Sequence, residues 1–292
     1  MIKIENTEVM GWEHAIRGMR NPLNSWRKSD SDYRPILCQR CDNCMSYQLE
    51  KWEDCDTCEV NLRTNSVDGF MIGPNDHELM MKLAKGGPVH AKYRRMITVY
   101  MDVTAPLYWW KEFDTYKVGT VANSCSTMHK IHAYNIFRED CSCEKLSARS
   151  LRALDAVLEE INFWRNVYIN GGGVDLGNGT AKWFAPRDKY AWEQMIQLLP
   201  SSYNQKRTIM LNYEVLAGMY ESRKNHKLDE WREFCKWIEG LPYSELIIGQ
   251  AEEETSFWDD AMAIMNDMTN AQVEEAIKYL ESRRNRKVEN GQ

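Results

Sequence analysis

The chain has 292 residues, with 37 basic and 43 acidic side chains giving a net charge of −6, and is 43% hydrophobic and 27% charged. This is an ordinary globular composition with material for a large core, as one big domain or two smaller ones, and it argues against a generally basic nucleic-acid binder while leaving room for a local basic groove. No apolar run reaches membrane-spanning length, and the opening MIKIENTEV lacks the basic-then-apolar pattern of a secretion signal, so an intracellular, cytoplasmic protein is expected.

Ile2 to Val9 alternates like an opening strand, and Gly11 to Met19 carries Trp12, Ala15, Ile16 and Met19 at helical spacing before Asn21-Pro22 ends it. A polar loop follows. Five of the nine cysteines then fall between Cys38 and Cys58. Cys38-x-x-Cys41 and Cys55-x-x-Cys58 form two knuckles separated by thirteen residues, with Cys44 between them. In a chain without a secretion signal such clustering favours metal or free thiols over disulfides, and two CxxC pairs fit a tetrahedral zinc thiolate site of structural role. The alternatives are clustered thiols in an exposed loop, or iron.

Asp76 reads as the cap of a helix carrying Leu79, Met80, Leu83 and Ala84, which ends at Gly86-Gly87. The basic run HAKYRR leads into a strand from Met96 to Val103, with Ile97, Val99, Met101 and Val103 on one face. The densest stretch of the chain follows, from Thr104 to Lys130. Thr104 and Pro106 suit the start of a helix through Trp109, Trp110 and Phe113, which fades near Tyr116 and breaks at Gly119. Asn123, Ser124, Cys125, Ser126 and Thr127 then read as a polar loop. Their hydroxyls and amides suit either a ligand cradle or a locally bonded helix-to-loop cap.

Ser147 to Tyr168 is the longest helical pattern, with Leu151, Leu154, Leu158, Ile161 and Val167 on one stripe. Asn170 and the glycines 171–173 stop it in what reads as a flexible connection; no strand precedes them and no GK[ST] follows, so a phosphate loop is excluded. Further helices are expected from Pro186 and Asp188 to Leu199, from Asn204 to Arg223, and from Leu228 to Ile238, with a last amphipathic helix from about Asn270 to Arg283. Arg94 and Arg95 suit a solvated face more than a phosphate site, and His129 and His132 suit a surface role more than acid–base work.

In order along the chain, these segments resemble the flavin-dependent thymidylate synthases. Their signature RHRxxSxNExSxRY is approximated by Thr115-Tyr116-Lys117, Thr120, Asn123, Ser124, Ser126, Met128 and His129. Lys117 keeps a positive charge, Asn123 and Ser126 match, and Thr115, Tyr116 and Met128 replace the first arginine, the histidine and the late arginine. Leu199-Pro200 resembles the family's LP turn. Asn212, Leu216 and Arg223 resemble its NxRxL…LR helix, with Glu214 in place of an arginine, where its charge would repel a phosphate. His226 to Arg232 resembles HAQxEIR, with His226, Glu230 and Arg232 matching. The resemblance covers roughly residues 76–240.

What the resemblance implies is a mixed α/β (α+β) fold, a central antiparallel-rich sheet with several long helices, over a single domain at 1–248. A Cys-rich insertion at 36–60 interrupts it, and an acidic linker and C-terminal helix follow at 249–292. The implied activity is methylation of dUMP, or a related pyrimidine nucleotide, with reduced FAD and methylenetetrahydrofolate, in a homotetramer. The implied cofactor-binding residues are Lys117, Tyr116, Thr120, Asn123, His226 and Glu230, and the substrate-binding residues Ser124, Ser126 and Arg223. From the CxxC spacing, not from the resemblance, the expected metal ligands are Cys38, Cys41, Cys55 and Cys58, and no catalytic residue is assigned. The rival readings are a zinc-stabilised nucleotide or single-stranded nucleic-acid binding protein without turnover, and an interaction protein that uses its aromatics and acidic tail.

Overall fold

A computed structural model describes residues 2–33, 70–177 and 179–249. The two CxxC knuckles, Cys44, the acidic linker and the last expected helix lie outside these residues. In chain order come β1 (Lys3–Met10), α1 (Trp12–Arg20), β2 (Asp32–Tyr33), β3 (Phe70–Met71), α2 (Pro74–Lys85), β4 (Thr98–Pro106), α3 (Leu107–Phe113), β5 (Val121–Ser124) and α4 (Thr127–Lys130). Then follow α5 (Ala148–Asn170), β6 (Gly172–Asp175), β7 (Ala181–Phe184), α6 (Lys189–Leu198), β8 (Asn204–Asn212), α7 (Tyr213–Arg223), α8 (Asp229–Glu239) and α9 (Glu245–Ile248).

The main sheet has four antiparallel strands in the order β1-β4-β8-β5. Strand alternation sorts its two faces. Val99, Met101, Val103 and Ala105 of β4 and Ile209 and Leu211 of β8 are buried on the inner face, with Val99 opposite Leu211 and Met101 opposite Ile209. Against that face pack Trp12, Ala15 and Ile16 of α1, Trp109, Trp110 and Phe113 of α3, Leu216 of α7, and Trp231, Phe234 and Ile238 of α8. Each such side chain withdrawn from water contributes about 1.5–3 kcal/mol. On the outer face, Asp102 accepts bonds from Thr208 Oγ1 at 2.6 Å, Asn6 Nδ2 at 2.9 Å and Lys206 Nζ at 3.1 Å. Gly11 joins β1 to α1 at φ +95°, and a Cβ there would lie 2.1 Å from the carbonyl oxygen of Met96, so glycine is required.

A second core stands beside the first. Leu154, Leu158, Ile161, Trp164 and Val167 of α5 meet Ala191 and Met195 of α6, Val174 and Phe184 of the β6–β7 hairpin, and Ile131 and Ile136. The α5 stripe was legible at helical spacing, and Ser147 caps it by accepting from Ser150 N.

Several expectations are corrected. Residues 204–212 are not helical: Asn204 to Asn212 is the central strand β8, and only Tyr213 to Arg223 is helix, capped by Asn212 Oδ1 accepting from Val215 N. Thr104 is no cap, because β4 continues to Pro106 and α3 begins at Leu107. Asn123 and Ser124 belong to the edge strand β5 rather than to a loop. Gly172 and Gly173 are strand residues paired with Phe184 and Trp183. Asp76 lies inside α2, which starts at Pro74, and it is fully buried. There it accepts from Arg20 Nε at 2.5 Å, from the hydroxyls of Ser29 and Ser31, and from the N–H groups of Asp30 and Ser31. Burial pushes its carboxyl upward, but the Ser29 and Ser31 hydroxyls and Arg20 outweigh it and hold the group below the usual carboxylate range. No described helix is long and apolar enough to cross a membrane.

Candidate functional site

The C-terminal end of α3, the turn after it and the α7–α8 connection converge on one carboxylate. Glu112 Oε2 accepts from Arg223 Nη1 at 2.7 Å and from Trp231 Nε1 at 3.0 Å, and His226 Nε2 stands 3.4 Å away. Arg223 Nε donates to Tyr116 Oη at 2.9 Å. Its guanidinium carbon lies 4.6 Å from the centre of the Trp231 ring and 5.5 Å from that of Tyr116. A guanidinium over an aromatic face is held by the ring quadrupole as well as by its hydrogen bonds. Among the described residues its Nη2 carries no bond. The Leu228 N–H donates to His226 Nδ1 at 3.2 Å. An accepting Nδ1 leaves the ring proton on Nε2, turned toward Glu112.

Local sequence explains the placement. Arg223 sits in the last turn of α7, where a cation suits the helix dipole. Arg232, one turn into α8, donates back to the carbonyls of His226 at 2.6 Å and Lys227 at 3.3 Å, fixing the connection that carries the imidazole. Thr120 Oγ1 donates to the Tyr116 carbonyl and closes the turn after α3. In that turn Gly119, at φ +78°, approaches the start of α7 so closely that a Cβ would lie 2.9 Å from Val215 Cγ2.

Of the residues expected at a cofactor or substrate site, Tyr116, Thr120, Arg223 and His226 are brought together here. Glu230, one residue before Trp231, is instead engaged by the Tyr108 hydroxyl. Burial and that carboxylate both push the Tyr108 phenol far up, so it keeps its proton. Lys117 is exposed and makes no ion pair among the described residues. Asn123 and Ser124 are exposed on β5, opposite Thr208 and Arg207. Ser126 is used as a cap, accepting from His129 N at 3.1 Å. Arg207 lies next to Ser124 across the sheet, 4.2 Å from the Trp110 ring centre, and bonds Asp114 Oδ1 at 2.6 Å. Arg207 and Arg223 therefore belong to a strand and a helix, not to one helix.

One expectation about charge changes. Glu214 is met by Arg94, with Nη1 to Oε2 at 3.7 Å, and both side chains are largely buried, so the carboxylate is answered from within the fold. Trp109 and Trp110 are both buried to within 1% exposure, so neither offers a face to a ligand. Glu112 was missed by sequence reasoning. The available signal was a lone carboxylate in a short helix otherwise full of aromatics, together with the need of Arg223 and His226 for an acceptor. Among the described residues no group of three or more His, Cys, Asp or Glu side chains is placed to hold a metal ion.

No protein-family model matches the chain, and no curated protein matches it. Solved structures do share its fold. One is a flavin-dependent thymidylate synthase ThyX from Helicobacter pylori complexed with FAD and dUMP, 12% identical, with a TM-score of 0.51 and a match covering 84% of this chain and 98% of that one. Another is Thymidylate Synthase X from Helicobacter pylori with FAD and dUMP, 12% identical, TM-score 0.52, covering 85% of this chain and 97% of that one. At this identity the likeness is one of fold: a mixed α/β chain around a four-stranded antiparallel sheet.

Proposed function

We propose that this chain is a divergent flavin-dependent thymidylate synthase-like protein that holds FAD and a pyrimidine nucleotide, dUMP or a relative, at the cluster around Glu112. The observation that carries the reading is the convergence of Arg223, Trp231 and His226 on one carboxylate, with Tyr116 tied in through Arg223, within a fold shared with structures that contain FAD and dUMP. The donor set fits such ligands. Arg223 has an unbonded Nη2 beside its ion pair, Lys117 offers a free ammonium, and the exposed Asn123 and Ser124 offer amide and hydroxyl groups on the adjoining strand.

In this reading Arg223 donates to the nucleotide or to a flavin phosphate from Nη2, while Glu112 holds its fork in place. Lys117 supplies the positive charge that Thr115 and Met128 no longer provide. His226, protonated on Nε2, orients a polar edge of the ligand, and Trp231 keeps water from the inner side of the cluster. FAD, when bound and reduced, would supply the hydride and become oxidised, and methylenetetrahydrofolate would be the carbon donor. A homotetramer, implied by the sequence resemblance, belongs to the same proposal.

The test is the absorption spectrum of the full chain after loading with FAD and desalting. A retained flavin band near one per subunit, perturbed by dUMP in the parent and not in Arg223→Ala, is the expected result. A colourless protein that refuses FAD overturns the reading.

A structural zinc at Cys38, Cys41, Cys55 and Cys58 is proposed alongside. Its support is the CxxC spacing and the antiparallel pairing of Asp32 with Met71 and Tyr33 with Phe70, which brings the two ends of the segment to one point. Metal analysis of the purified chain, with a fourfold cysteine-to-serine variant as reference, checks it.

A further inference from the structure

The rings of the first core form a column that runs from the Glu112 cluster to the surface. Trp231 packs 4.8 Å from Trp109 and 5.8 Å from Phe234, ring centre to ring centre, and Phe234 packs 5.2 Å from Trp237. Trp231, Trp109 and Phe234 are wholly buried, whereas Trp237 is partly exposed.

The indole nitrogens of this core do not have equivalent partners. Trp231 Nε1 donates to Glu112 Oε2 at 3.0 Å. Trp110 Nε1 donates to the Gln205 carbonyl at 2.9 Å, and Trp237 Nε1 to the Thr7 hydroxyl at 3.2 Å. Trp109 Nε1 is buried without a hydrogen-bond partner. Of these four indoles, Trp231 alone has its N–H on a carboxylate.

That difference decides which ring can lose an electron. Oxidation of an indole by one electron leaves a cation with an acidic N–H. In a core without water, an unpaired charge is costly unless it is neutralised. Arg223 lies 4.6 Å from the Trp231 ring centre and Arg207 lies 4.2 Å from that of Trp110, so a like charge opposes a cation on either ring. Trp231 escapes this cost by handing its proton to Glu112. A carbonyl or a hydroxyl is too weak a base to serve Trp110 or Trp237 in the same way. The Glu112 side chain is 35% exposed, so the proton it receives has a way on to water.

We propose that Trp231 and Glu112 form a proton-coupled sink for oxidising equivalents that enter at Trp237. A one-electron radical oxidant at the surface, of the carbonate-radical class, takes an electron from Trp237 and becomes carbonate. An electron from Trp231 crosses past Phe234 and refills Trp237. The Trp231 Nε1 proton moves to Glu112 Oε2, leaving a neutral indolyl radical and a carboxylic acid. A small thiolate at the open side of the cluster returns the electron and becomes a thiyl radical, and Glu112 returns the proton. The net change is one electron from thiolate to oxidant. No ligand at the cluster takes part, so the inference stands apart from the flavin reading.

The experiment is flash-quench oxidation of the full chain without flavin. A p-azidophenylalanine replaces the exposed Lys236, beside Trp237, and carries a ruthenium tris-bipyridyl photo-oxidant, with ruthenium hexaammine as the soluble electron acceptor. Transient absorption separates the neutral indolyl radical from the indole cation by their visible bands. The expected result is a long-lived neutral radical that forms more slowly in heavy water and is cleared by added thiol. Trp231→Phe should abolish it, and Glu112→Gln should slow its formation about tenfold or more. Trp109→Phe disturbs the same packing without touching the proton path and should keep it. No neutral radical in the parent, no solvent isotope effect, or a radical that survives Trp231→Phe or Glu112→Gln unchanged would overturn the proposal. The isotope effect is read on unsubstituted core residues, so it holds whether or not a core variant folds. FAD retention is measured separately, so either reading can fail alone.

Discussion

The two cores of this protein are built by different rules. The first is sheet-backed: β4 and β8 lay down a flat inner face, and aromatics from three helices fill it, with Trp109, Trp231 and Phe234 within 6 Å of one another, ring centre to ring centre. The second has no main-sheet strand beneath it. It is a helix pair, α5 and α6, closed by a two-stranded hairpin and short segments around Ile131 and Ile136. Burial differs accordingly. More of the first core is wholly shielded; the second is closed at Phe184, Ala191 and Met195, while Leu154, Trp164 and Val167 keep 5–8% of their surface in water. The Glu112 cluster is anchored on the first core, where its carboxylate is bonded by Arg223 and Trp231 while Arg223 Nη2 is left over.

Phe234→Ala tests the first half of that contrast. A fully buried phenylalanine in an aromatic cluster has little freedom to collapse, so a loss of about 3–5 kcal/mol is expected, with the whole domain melting as one transition. Denaturant unfolding followed by both tryptophan fluorescence and circular dichroism reads this directly. Met195→Ala tests the second. A loss of about 2–5 kcal/mol is expected there, because Met195 is wholly buried between α6 and α5. Hydrogen exchange sharpens the distinction: amides of α5 and α6 should lose protection while those of β4 and β8 keep it. Equal loss across both regions would break the comparison.

The smallest expected effect lies on the outer face of the sheet. Hydrogen bonding by the Thr208 hydroxyl, then by Asn6 and Lys206, holds the Asp102 carboxyl down at about 2. A depressed carboxylate stabilises the fold fully above its unfolded value near 3.8, and the contribution is lost as pH falls toward 2. Asp102→Asn should therefore cost on the order of 1–2 kcal/mol at neutral pH and almost nothing near pH 2. Melting temperatures of parent and variant across that range should converge on acidification.

The sequence revealed elements whose signal is local. β4 alternates cleanly, and α5 carries a stripe and a capping serine. β8 was hidden because Gln205 and Arg207 stand on its inner face, where alternation predicts apolar side chains. They are tolerated because Gln205 Nε2 donates to the Cys125 carbonyl, its Oε1 accepts from Arg207 Nε, and Arg207 stacks on Trp110. Cys125 and Trp110 lie some 80 or more residues away. The boundary was hidden too, since Asn212 ends the strand and caps the next helix with no intervening break. At the site, Arg223, His226 and Tyr116 were flagged by resemblance. Glu112, which joins them, was not, because its role exists only when the two halves of the chain meet. The burial of Asp76 was invisible for the same reason: its spacing suits a cap, and only the fold brings Arg20 to it.

The clasp at β2 and β3 sets the terms on which the chain can vary. Ser31 Oγ accepts from Gly73 N, Tyr243 Oη accepts from Ile72 N, and Asp30 accepts from the N–H groups of Asn75 and Asp76, so the chain around residues 30–33 and 70–76 is sewn to the body from both directions. Residue 33 and residue 70 sit side by side. Whatever runs between them enters and leaves through one doorway. Closing a longer loop between fixed ends costs only logarithmically more. The doorway is therefore a natural splice point: there the protein can gain, lose or exchange a whole module without renegotiating either core.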